Sequence, residues 1–127
     1  MSGPSLLLDT HVFLWWRSAH KRLAREAREA IATADLVYVS AASAWEAGIK
    51  VALGRLRLPE SFEAGVEKSG FEKLAITFAH AEAATSLPPH HADPFDRMLI
   101  AQAQVERLTL VTRDRRLQPY DVRLLWT

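Results

Sequence analysis

Three short apolar runs limit what this chain can fold into: Leu6-Leu-Leu8, Leu36-Val-Tyr-Val39 and Leu108-Thr-Leu-Val111. They are nearly continuous rather than alternating, the pattern of strands buried on both faces of a parallel sheet. Parallel neighbours need crossovers, and the intervening segments read as helices. These are a short one over Val12–Trp16, then Ala19–Ala34, Ala41–Leu53, Ser61–Ser69, Phe78–Leu87 and Pro94–Arg107. Their ends carry the expected signals: Ser40 and Thr77 as N-caps, Gly54 and Gly70 as stops, Pro94 at a first helical position. Lys73–Ile76 reads as a further short strand and Val122–Leu125 as an edge strand, while Met1–Pro4 looks like a loose start. The expectation is an α/β fold, a central parallel sheet of four to five strands with helices on both faces, forming one domain over 1–127.

In open parallel sheets, ligands bind outside the carboxyl ends of the strands. Asp9 follows the first run directly and Asp114 lies three residues beyond Val111, so both belong at that edge. Asp93 and Asp96 open the helix that feeds the Leu108–Val111 strand, and Glu46 lies within the helix after the second. Each acid also has a structural explanation. Asp9 and Asp93 are placed as N-caps, Asp96 favours the helix dipole, Asp114 shapes a turn, and Glu46 is spaced to pair with Lys50. The apolar neighbours of Glu46, from Ala44 to Ile49, suggest a buried setting.

Carboxylates gathered in one cleft repel, and stay ionised only with cations among them. The chain has no cysteine, which excludes disulfides and thiolate zinc sites and suits a reducing compartment. Oxygen ligands alone select hard ions, Mg²⁺ or Mn²⁺, which activate water and neutralise a phosphodiester. His90 and His91 lack a third nitrogen for zinc. Neither a nucleophile elbow nor a phosphate-binding glycine loop is present. Charge is balanced, 16 Lys+Arg against 15 Asp+Glu, so the overall charge does not point to nucleic acid. Arg113, Arg115 and Arg116 nevertheless cluster beside Asp114, a pattern that suits a phosphate grip and a solvated loop equally. No apolar run approaches membrane-spanning length, and no signal-like core opens the chain, so a soluble cytoplasmic protein is expected.

The order Leu-Leu-Asp-Thr-His, Ser-x-x-Ser-x-Trp-Glu, Asp-Pro-Phe-Asp-Arg-x-Leu-Ile-Ala-Gln-Ala and Leu-Val-Thr-Arg-Asp resembles a PIN-domain ribonuclease. It is similar to the VapC toxins of bacterial toxin–antitoxin modules, over nearly the whole chain. The resemblance implies a three-layer α/β/α fold and an acidic Mg²⁺ pocket that cuts RNA. It also implies a homodimer, and a cognate antitoxin whose C-terminal segment lies in a groove near Val12–Trp16 and Ala41–Leu53. By position Asp9, Glu46, Asp96 and Asp114 match the metal-holding acids. Asp93 is an additional acid at the helix start, expected to cap it or act from an outer shell. Thr112, Thr10 and His11 stand where they would hold the carboxylates, and Arg97 and Arg113 where they would hold RNA. Two other readings remain open: a binding module whose acids only cap and turn, and a PIN-like nuclease acting on DNA or flaps.

Overall fold

The structure is a computed structural model that describes residues 4–127; most of the expected loose start therefore lies outside the described residues. The strands are β1 (Leu6–Leu8), β2 (Val37–Ser40), β3 (Glu72–Leu74), β4 (Thr109–Thr112) and β5 (Leu124–Trp126). They form one parallel sheet in the order β3-β2-β1-β4-β5. The helices are α1 (Thr10–Ser18), α2 (Arg25–Thr33), α3 (Ala41–Ala52), α4 (Phe62–Lys68), α5 (Phe78–Thr85) and α6 (Pro94–Glu106).

Alternation along β1 divides the core into two layers. Leu6 and Leu8 join Val12, Phe13, Ala27, Ile31 and Val66 from α1, α2 and α4. Leu7 points the other way, to Ala42, Leu99, Ile100 and Ala103 from α3 and α6, with Leu108 and Leu110. All three leucines are at most 1% exposed, which explains why this strand cannot tolerate a polar alternate position. The chain builds outward from β1 to β2 and β3, then crosses back to add β4 and β5 on the other side. The boundary between β1 and β4 is therefore the switch point, where adjacent loops part and leave a crevice at the carboxyl edge.

Most capping expectations hold. Ser40, Ser61, Thr77 and Asp93 accept backbone N–H groups at the starts of α3, α4, α5 and α6. Gly54 and Gly70, both at φ +72, follow the ends of α3 and α4 in the left-handed conformation that glycine adopts without strain. One expected helix is corrected. Residues 19–24 do not open α2: Ala19 is left-handed at φ 51 and closes α1, which reaches Ser18. Leu23, buried at 3%, packs with Ala27 and Ile31, so a turn residue completes an apolar spacing that imitates a longer helix. The expected edge strand does sit at the sheet edge, two residues later than its apolar pattern indicates. No helix among the described residues is long and apolar enough to cross a membrane.

Candidate active site

Asp9, Glu46, Asp93, Asp96 and Asp114 all line one cleft of about 580 Å³. Asp9 is delivered by β1. Its N–H donates to Val111 O (3.0 Å), continuing the β1–β4 ladder one residue past the strand. Its carboxylate is divided between two tasks: Oδ1 accepts the Val12 N–H (2.9 Å), capping α1, and Oδ2 accepts the Thr112 hydroxyl (2.5 Å). Thr112 Oγ1 in turn accepts the Asp114 N–H (3.0 Å), so one side chain at the end of β4 ties both aspartates together.

Glu46 projects from α3. Its Oε1 accepts the Thr10 hydroxyl (2.5 Å), which also lies 2.9 Å from the Ser43 hydroxyl. Its Oε2 stands 3.8 Å from Lys50 Nζ, so the surface-type pair and the cleft position coexist. Its side chain is only 15% exposed, the more buried setting expected, although Trp45 is 65% exposed and Ile49 38%. The helix faces the core through Ala42 and Ala47, whereas Val51 and, just past its end, Leu53 are exposed.

The two acids opening α6 have different roles. Asp93 Oδ1 accepts the N–H groups of Phe95 (2.8 Å) and Asp96 (3.0 Å), a helix cap at the cleft wall. Asp96 turns inward, where its Oδ2 meets His91 Nε2 at 2.8 Å. Asp114 is gripped from outside by Arg116, through Nε to Oδ1 (2.9 Å) and Nη2 to Oδ2 (2.8 Å).

The electrostatics follow from these partners. Burial, opposed by the Thr112 hydrogen bond, pushes Asp9 up to about 6, with Glu46 and Asp114 adding like charge. Burial likewise pushes Asp96 up to about 6, against the His91 hydrogen bond, and Asp93 and Asp9 add to the shift. Asp114 goes the other way, because the Arg116 guanidinium holds its carboxyl below the usual range. Burial and then Lys50, whose Nζ lies 3.5 Å from Nε2, pull the His11 ring below its ordinary value. Burial, ahead of like charge, thus holds both Asp9 and Asp96 above the normal carboxyl range, a pattern common at functional clefts.

Of the residues expected to hold a phosphate backbone, Arg113 lines the cleft, with its guanidinium over Trp15 at 5.6 Å. Arg97 does not line it, and its expected role in binding substrate is corrected. Its guanidinium donates to the carbonyls of Ala84 (3.0 Å), Leu87 (2.9 Å), Pro88 (2.9 Å) and His91 (3.3 Å), which leaves it a structural clamp. Arg22, Lys50, Arg115 and Arg116 complete a basic rim.

Sequence reasoning set His91 aside with His90, yet the two part company. His90 meets Tyr120 edge to face (5.1 Å between centroids). His91 Nε2 lies with carboxylate oxygens of Asp96 and Asp114, all within 4.8 Å of one another. Its one sequence signal is its position just ahead of the helix that carries Asp96. The donor set fits a hard divalent cation: carboxylate oxygens from three separate elements, two of them charge-starved, around one cleft.

Residues 6–122 match the family described as the PIN domain. Ribonuclease VapC22 of Mycobacterium tuberculosis is 33% identical over 119 residues, covering 91% of this chain and 92% of that protein. Among solved structures, VapBC2 from Rickettsia felis bound to a DNA fragment from its promoter aligns with TM-score 0.73 at 14% identity, covering 97% and 98% of the two chains. FitAcB from Neisseria gonorrhoeae aligns at 0.68 and 19%, covering 94% and 96%. A toxin–antitoxin complex from Klebsiella pneumoniae aligns at 0.67 and 20%, covering 94% and 95%. The structural likenesses establish the shared fold.

Proposed function

The chain belongs to the PIN-domain family, and from that premise we propose that it is a VapC-like toxin, a Mg²⁺-dependent endoribonuclease restrained by a cognate antitoxin. The observation that carries this reading is the convergence of Asp9, Asp96 and Asp114 on one cleft, with Asp9 and Asp96 held near 6 by burial and like charge. A binding module that used these acids only as caps and turns has no reason to point Asp96 away from its own helix. Likeness to a protein named as a ribonuclease, and to toxin–antitoxin assemblies, supports the substrate and the partner.

Asp9, Asp96 and Asp114 would hold the cation, Mg²⁺ or Mn²⁺, with Glu46 beside them. Such an ion, when bound, would neutralise a phosphodiester and acidify a water. Glu46, anchored by Thr10, would orient the attacking water and accept its proton. Thr112 aims Asp9, as outer partners of metal ligands do. Arg113 and the basic rim hold the backbone phosphates on either side of the scissile bond. Asp93 fixes the start of α6 and thereby the direction of Asp96. We assign the products as 5′-phosphate and 3′-hydroxyl ends, and the active species as a homodimer in the cytoplasm. The exposed apolar side chains of α3, Trp45 and Ile49, with Leu53 just beyond its end, offer a surface for the antitoxin.

The test is cleavage of structured RNA and of DNA of the same sequence, with Mg²⁺ and with chelator. RNA cleavage that needs the ion, is lost in Asp96→Asn and is suppressed by the copurifying antitoxin supports the assignment. Cleavage of DNA alone makes the protein a different PIN nuclease. No ion binding by calorimetry leaves only the binding module.

A further inference from the structure

We propose that His91 is a direct nitrogen ligand of the cation held by Asp96 and Asp114, and that it biases the site towards Mn²⁺ over Mg²⁺. The inference rests on the metal-dependent reading above and adds a donor outside the all-carboxylate set.

His91 Nε2 lies 2.8 Å from Asp96 Oδ2 and 4.0 Å from Asp114 Oδ2. Around an ion with bonds of about 2.1 Å, neighbouring octahedral ligands stand ~3.0 Å apart and opposite ones ~4.2 Å. Both separations from His91 Nε2 are close to those values, and the Asp96 and Asp114 oxygens lie within 4.8 Å of each other. An imidazole that only balanced Asp96 would have no need of a second carboxylate across from it.

The ring is also built in place. Its side chain is 9% exposed, and the backbone on which it rides is fastened from two directions. The His91 N–H donates to Tyr120 Oη (2.8 Å), and the His91 carbonyl accepts from Arg97 Nη1 (3.3 Å). The same arginine gathers the carbonyls of Leu87 and Pro88, and Tyr120 Oη donates to Pro88 O (2.9 Å). The preceding loop is therefore stapled to α6 and to the segment before β5, which fixes the imidazole against the cleft. A ligand held this way is preorganised.

The consequence for ion choice follows from donor chemistry. Mg²⁺ prefers oxygen and sheds water reluctantly, whereas imidazole favours first-row transition ions. A neutral nitrogen added to the set brings none of the negative charge that a hard ion exploits.

Pulsed electron paramagnetic resonance of the full chain loaded with Mn²⁺, together with calorimetry of Mn²⁺ and Mg²⁺, tests this. The expected result is a ¹⁴N coupling in the parent that persists in His90→Gln and disappears in His91→Gln. In His91→Gln, Mn²⁺ affinity should fall about tenfold or more, and Mg²⁺ affinity less than threefold. Tight Mn²⁺ binding without ¹⁴N coupling in the parent, a result that needs no variant, overturns the proposal and leaves the carboxylate site standing. Coupling that survives His91→Gln overturns it too, and assigns the nitrogen elsewhere. Absence of any Mn²⁺ or Mg²⁺ binding by the parent removes the metal-dependent reading, and this inference with it.

Discussion

Two places in this molecule bury ionisable side chains, and they are opposites in completeness. Between α5 and α6, His80 is fully buried, yet both ring nitrogens are matched. Nδ1 accepts the Thr77 N–H (3.0 Å), closing the capping box of α5, and faces Gln102 Nε2 (3.3 Å), while Nε2 meets Glu106 Oε2 (2.8 Å). The cost of burial is answered within the protein, except at Gln102 Oε1, which has no hydrogen-bond partner. In the cleft, Asp9 is buried nearly as deeply, but its neighbours include Glu46 and Asp114, which repel it. The first arrangement is complete as it stands and serves the architecture. The second leaves like charges facing one another, an arrangement that a cation would stabilise.

If the contrast is real, the two places respond differently to damage. Asp9→Asn should cut RNA cleavage by more than about 100-fold, beyond the 10–100-fold typical of outer-shell partners, with no loss of metal-free melting temperature. Cleavage at the parent rate would falsify the site assignment. His80→Ala should do the reverse, lowering stability by roughly 2–4 kcal/mol through a buried void and stranded partners. Denaturant titration measures the stability, and calorimetry should find the cation affinity unchanged within about twofold. An affinity that fell with stability would merge the two regions and end the contrast.

The pH dependence sharpens it. Asp9 has a folded value of about 6 against 3.8 for the ordinary carboxyl, so the native state holds this proton more tightly than the unfolded chain. Below about pH 4 both states are protonated and nothing is lost. As pH rises towards 6 the unfolded state releases its proton first, stability falls, and above 6 the penalty is complete. It amounts to at most about 3 kcal/mol. Metal-free melting of the parent and of Asp9→Asn from pH 4 to 8 should therefore diverge up to pH 6 and then run parallel. A constant gap would mean that Asp9 is not charge-starved. The smallest expected effect belongs to Thr112→Val, which removes the donor to Asp9 Oδ2. Cation affinity should drop roughly 10–100-fold with the ion preference unchanged, and an unaltered titration isotherm would show that Thr112 serves only the turn.

Much of this was readable before folding because its causes are local. Leu6–Leu8 could only be a doubly buried strand, Asp93-Pro94 could only open a helix, and Asp9 had to leave the sheet where β1 ends. The failures occurred where distant partners decide. Ala19 breaks a pattern that Leu23, Ala27 and Ile31 seem to continue, since helical spacing and contact across a turn look alike in one dimension. Arg97 looks like a phosphate ligand until four carbonyls, one in α5 and three in the loop after it, surround it.

By itself, then, the sequence determined the parallel sheet, its caps, and the acids that leave its carboxyl edge, because burial period and capping act over a few residues. Only the tertiary structure decided that His91 faces Asp96 and Asp114 while Arg97 is spent on backbone carbonyls. Those outcomes depend on electrostatics across a few ångströms of space between residues that the chain keeps apart.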